Sequence, residues 1–129
     1  MEFYEIAHAL NPKIFVGIDF VGYEDDLPLS KFYGLFHSHF KSKPTPKLFL
    51  HAGESALKEN KNCLTAIEND TLRIGHGLGL IQDPSLLEKV KNKNILVEAN
   101  PLSNWILGYV LDLRWHPVRF YPNYGIKVR

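Results

Sequence analysis

Five apolar runs, most of them rich in β-branched residues, recur along the chain: IFVGIDF at 14–20, KLFLH at 47–51, LRIGH at 72–76, ILVEA at 95–99 and GIKV at 125–128. Segments of helical length separate them. Runs with so little polar alternation predict parallel strands, because only a sheet covered on both faces is stabilised by Leu, Ile, Val and Phe at successive positions, and crossover helices supply that cover. The expected architecture is α/β, with about four to five parallel strands and crossover helices. It corresponds either to part of an eight-stranded barrel or to a small open sheet.

The intervening segments carry helix signals of their own. Asp83-Pro84-Ser85 predicts an N-cap with proline in the first turn, followed by apolar Leu86, Leu87 and Val90 and by basic residues toward the C-terminal end. Residues 55–69 place Ala56, Leu57, Cys63, Leu64 and Ile67 among polar neighbours, residues 28–41 form a more aromatic helix, and EFYEIAHAL runs as a helix into the first strand. The proline-rich KSKPTPK at 41–47 reads as a loop, so a single domain spans 1–129.

Composition narrows the function more than the fold. The 129 residues are 45% apolar and 22% charged, which suits one folded domain rather than a disordered chain. Fifteen basic and fourteen acidic residues leave a net charge of +1, with no basic block, so nucleic acid and anionic membrane surfaces are not expected partners. The single cysteine, Cys63, rules out an internal disulfide and a thiolate zinc cluster, and it reads as a small core residue. No apolar segment has the length of a membrane span, and Glu2 and Glu5 stand where a signal peptide would carry basic charge.

Chemistry concentrates where the strands end. Asp19, Gly22 and Glu24 follow the first, His51 and Glu54 the second, His76 the third, and Glu98, Asn100, Ser103 and Asn104 surround the fourth. A lone histidine at a strand end is ordinarily satisfied by a backbone carbonyl and a lone glutamate by water. In parallel α/β folds, however, the C-terminal strand ends share one face, so groups repeated there converge on one site. Gly53 lies between His51 and Glu54, and Gly75, Gly77 and Gly79 surround His76, permitting tight turns and close approach of a ligand to the backbone. The G-x-G-x-x-G spacing of dinucleotide sites is absent. His37 and His39 of FHSHF lie two apart in a helical stretch, point in different directions, and are expected to be helix-end residues rather than metal ligands.

KLFLHAGES, LRIGHGLGL and VEANPLSN, in that order, resemble the second half of the adenosine and AMP deaminase family, zinc-dependent enzymes built on a (β/α)8 TIM-type barrel. GIDFVGYEDDLPLSKF, SNWILGYVLDLRWHPV and YGIKV are similar to the adenosine deaminase-related growth factor branch, a secreted group. The resemblance implies a partial barrel from the fourth strand to the start of the eighth. It implies hydrolysis of adenosine or deoxyadenosine to inosine and ammonia, and a homodimer for the full-length protein. It makes His51 a zinc ligand, Glu54 the proton donor to ring nitrogen N1 as water attacks C6, and His76 the group that orients that water. Gly22, Asp19 and Glu24 fall on the substrate side, Gly22 through its backbone and Asp19 as support for its loop. The family completes its zinc site with a His-x-His pair on the first strand and a Ser-Asp-Asp segment on the eighth. FHSHF lies in the wrong element to replace the pair, and no Ser-Asp-Asp occurs. With one histidine ligand this chain alone is expected not to hold catalytic zinc or turn over adenosine, which leaves a non-catalytic, growth-factor-like binding or signalling piece as the alternative.

Overall fold

A computed structural model describes residues 1–24, 29–55 and 61–129. Four strands, β1 (Gly17–Phe20), β2 (Lys47–Ala52), β3 (Arg73–His76) and β4 (Leu96–Glu98), form one sheet in the order of the sequence, all parallel. The fifth apolar run joins beside β4: Val128 bridges to Val97 in parallel, and the Val97 N–H donates to the Lys127 carbonyl at 2.9 Å.

Helices α1 (Glu2–Leu10), α2 (Leu29–Phe40), α3 (Lys61–Glu68) and α4 (Pro84–Asn92) precede or connect the strands. Proline at the first position and the Asp83 carboxylate, which accepts the Ser85 N–H at 2.9 Å, start α4 as its sequence predicts. Positions 28 and 56–60 of the two expected helices 28–41 and 55–69 lie outside the described residues. β1 is shorter than its apolar run: Ile14, Phe15 and Val16 stay exposed in the connection from α1. A short helix outside the elements predicted from sequence, α5 (Pro101–Ile106), follows β4 with Asn100 at its N-cap and proline in its first turn, and turns of 3₁₀ type carry the chain through residues 113–124.

One face of the sheet is sealed. Leu48, Leu50 and Ala52 of β2, Ile74 of β3 and Val97 of β4 pack with Phe36 and Phe40 of α2, Cys63, Ala66 and Ile67 of α3, and Leu86, Leu87 and Val90 of α4. Each fully buried aliphatic or aromatic side chain contributes roughly 1.5–3 kcal/mol. The opposite face corrects the expectation of apolar cover on both sides. Asp19, Phe49 and Arg73 lie side by side in register on β1, β2 and β3. Arg73 donates to Asp19 and to Glu98, each at 2.8 Å, with its guanidinium carbon 4.7 Å from the centre of the Phe49 ring. Three of the apolar runs each carry a charged position, Asp19, Arg73 and Glu98, and the charges are tolerated because they pair across three strands.

Candidate functional site

The site grows from the C-terminal ends of β2 and β3. After His51 and Ala52 the backbone turns at Gly53, whose φ is +73° and where a Cβ would stand 2.5 Å from the Cys63 sulfur. No other residue fits both constraints. The turn brings Glu54 back onto the strand end, where a carboxyl oxygen lies 3.1 Å from His51 Nε2. The turn is itself clamped. Glu24, from the loop after β1, accepts the N–H of Gly53 at 2.6 Å and of Glu54 at 2.5 Å, and the Asn62 side-chain amide at 3.2 Å. Asn62 in turn accepts the Leu29 N–H at 3.2 Å, which ties the start of α2 into the same group.

His76 reaches the site by breaking a rule. Strand alternation pairs it with Ala52 and would turn it toward the helices, while Gly75 pairs with His51. At His76 the backbone instead takes φ +68°, a left-handed conformation that costs a non-glycine residue about 1 kcal/mol or more. The imidazole then lies with its centre 4.2 Å from that of His51 and its Nε2 3.5 Å from Glu54 Oε1. Gly77 follows at φ +60°, where a Cβ would stand 2.9 Å from a Val97 methyl, and its carbonyl accepts the hydroxyl of buried Tyr121 at 2.5 Å. His76 is pushed down to about 4, by burial first and then by the neighbouring His51, against the pull of Glu54 and the Asn104 amide. It is therefore neutral at physiological pH.

His51, Glu54 and His76 offer ligand atoms that all lie within 4.8 Å of one another. Two imidazoles and a carboxylate are ligand types that zinc accepts, so the donor set suits that ion. His37 and His39 stand apart from this group: His37 pairs with Asn69 at 3.2 Å and His39 with Glu5 at 3.0 Å. Among the substrate-side residues, Gly22 has φ +148° and open space where a Cβ would point. It shares a small cleft with Phe20, Tyr23, Glu24, Leu29 and His51. Asp19 is paired with Arg73, and both oxygens of Glu24 are taken up by the turn after β2. Arg73, Asn62, His116 and Tyr121 were missed by sequence reasoning. Each supports the site from a position to which the motifs assign no role; only the side-by-side strand register would have pointed to Arg73.

A parallel sheet that gathers histidines and a carboxylate at its C-terminal strand ends is the arrangement of metal-dependent barrel hydrolases. Comparison with known proteins agrees. The profile described as adenosine deaminase matches residues 1–129. The chain is 34% identical over 126 residues to an adenosine deaminase of Aedes albopictus, covering 94% of this chain and 23% of that protein. It is 39% identical over 122 residues to adenosine deaminase 2 of Dictyostelium discoideum, covering 91% and 22%. An amidohydrolase of Burkholderia ambifaria, solved with bound zinc, shares the fold with a TM-score of 0.77 at 21% identity, over 99% of this chain and 35% of that one. The chain belongs to the adenosine deaminase family, and its α/β sheet is part of a barrel. It spans about a quarter of the length of those two relatives.

Proposed function

We propose that these residues form one side of the active site of a zinc-dependent deaminase that hydrolyses adenosine or deoxyadenosine to inosine and ammonia. The observation that carries this reading is the position of Glu54, within reach of two histidines from adjacent strand ends and backed by a carboxylate clamp. His51 is the zinc ligand contributed by this chain, with the remaining ligands supplied by other parts of a longer protein. Zinc, when bound, supplies a Lewis acid that activates water.

The chain's own residues account for the rest of the reaction. Gly22 presents its backbone to the purine beside His51, with no side chain of its own in the way. Glu54 delivers a proton to ring nitrogen N1, drawing electrons from C6 as the water oxygen adds there. His76 holds that water and stabilises the charge that develops on its oxygen. The two protons of the water balance the reaction, one returning to Glu54 and one going to the amino group, which departs as ammonia when the C6–N bond breaks. Glu24 and the Asp19–Arg73–Glu98 group hold the scaffold in register. Secretion and a homodimeric assembly belong to this proposal through the growth-factor branch, and are checked by locating the expressed protein and measuring its mass in solution. The chemical test is inosine formation by the full-length protein. Glu54→Gln should lower kcat on the order of a hundredfold or more while zinc content is retained. A full rate in that variant would sink the assignment.

A further inference from the structure

Behind His76 lies a buried file of polar groups that the proposed reaction does not use directly. His76, Asn104 and His116 are 5%, 0% and 1% exposed. Asn104 sits on α5, and His116 lies in the turn that packs beneath it. The Asn104 amide nitrogen is 3.0 Å from His76 Nδ1, and its oxygen is 3.1 Å from His116 Nε2. At the far end the backbone N–H of Val118 donates to His116 Nδ1 at 3.1 Å. Asn104 is also fixed through its backbone, whose carbonyl accepts the N–H groups of Tyr109 at 2.9 Å and Val110 at 3.1 Å.

The direction of every bond in this file follows from one group whose role is not negotiable. A backbone N–H can only donate, so His116 Nδ1 carries a lone pair and its proton is on Nε2. That proton goes to the Asn104 carbonyl oxygen, which turns the amide NH2 toward His76. An amide nitrogen can only donate, so His76 Nδ1 must accept, and the ring's proton is placed on Nε2, the nitrogen that faces Glu54. Each donor then has an acceptor. The reverse assignment would set donor against donor among groups that are at most 5% exposed.

We propose that Asn104 and His116 are positioning residues that lock His76 as its Nε2–H tautomer, so that the site is presented with a hydrogen-bond donor rather than a proton acceptor. The tautomer itself rests only on the geometry of the file. Its catalytic consequence rests on the function proposed above: His76 steadies oxygen by donating, which leaves Glu54 as the group that transfers protons. The closest parallel in principle is a metal-site or catalytic histidine whose second nitrogen is fixed by an outer partner, here an amide oriented by a further histidine.

Long-range proton–nitrogen NMR of the full-length protein, labelled on its histidine ring nitrogens, tests the lock directly. The expected spectrum has His76 Nδ1 unprotonated and Nε2 protonated, and the same pattern for His116. In Asn104→Asp, a carboxylate accepts on both sides, so His76 Nδ1 should become protonated. In His116→Phe the Asn104 amide loses its orienting donor and the His76 tautomers should mix, whereas His116→Gln, whose amide can supply a donor near the place of Nε2, should restore the native pattern. Turnover of adenosine by Asn104→Asp should fall on the order of tenfold to a hundredfold in kcat with KM within about twofold. A wild-type His76 protonated at Nδ1 overturns the proposal, as does a folded Asn104→Asp protein in which Nδ1 stays bare. If Asn104→Asp does not fold, the wild-type spectrum and the His116 pair decide. A wild-type protein without deaminase activity overturns the functional reading, while the spectrum still decides the tautomer.

Discussion

The two histidine-bearing turns of this site are held by opposite means. The turn after β2 is gripped by a charge: the Glu24 carboxylate accepts two successive backbone N–H groups, at the half-buried edge of the sheet. The turn after β3 is gripped by neutral groups in the interior: the Tyr121 hydroxyl on the Gly77 carbonyl and the Asn104 amide on His76. The difference matches what each turn must offer. A carboxylate beside the first turn leaves Glu54 free to face His51 and ligands, because the clamp uses only its backbone. A further charge beneath the second would add to the pull of Glu54 on His76, so buried neutral partners hold it in place from behind and fix the position of its ring proton by hydrogen bonding.

The contrast can be broken at either turn. The largest effect is expected at the buried one. Tyr121→Phe removes one buried hydroxyl and leaves the Gly77 carbonyl with the Leu80 N–H at 3.1 Å, and should lower the stability of the full-length protein by about 1–2 kcal/mol in denaturant titration. At the half-exposed turn, Glu24→Gln keeps one acceptor oxygen and water can reach the other N–H. A loss of about 0.5–1.5 kcal/mol is expected, seen as faster hydrogen exchange at the Gly53 and Glu54 amides with the Gly77 region unchanged. Equal losses in both regions would mean that the turns are not held independently.

The smallest effect should appear as pH dependence. Burial holds His116 below the ordinary histidine range. A depressed histidine contributes stability that is complete above its unfolded value, about 6.5, and is lost as the pH falls through the folded value. His76 is pushed the same way, to about 4, so stability should decline as the solution is acidified below about 6.5. His116→Gln should flatten part of that decline, whereas Glu24→Gln should leave its histidine component in place. A decline unchanged by His116→Gln would show that His116 is not protonated on unfolding in this range.

Much of this was legible in the chain. Apolar runs and helix caps placed β2, β3, β4 and α4 within a residue or two, because a parallel strand and a capped helix each depend on neighbours in sequence. His51, Glu54 and His76 stood out as costly polar groups at strand ends, and the fold brings them together. Arg73 was hidden inside an apolar run, since the carboxylates that balance it lie 54 and 25 residues away. Glu24 was placed on the substrate side by resemblance, and its bonds to the turn after β2 could not be seen from its own neighbours in sequence.

Sequence by itself determined most of the strands and helices, their parallel arrangement and the three side chains on which the site is built, because hydrophobic period, glycine spacing and strand-end polarity are local properties. Tertiary structure alone decided which way those side chains point and where their protons sit. His76 faces His51 only because its backbone turns left-handed at the strand end, and its free nitrogen is settled by an amide 28 residues away and by a histidine 12 residues further on. Hydrogen-bond direction passes from group to group through space, and a one-dimensional pattern carries no record of it.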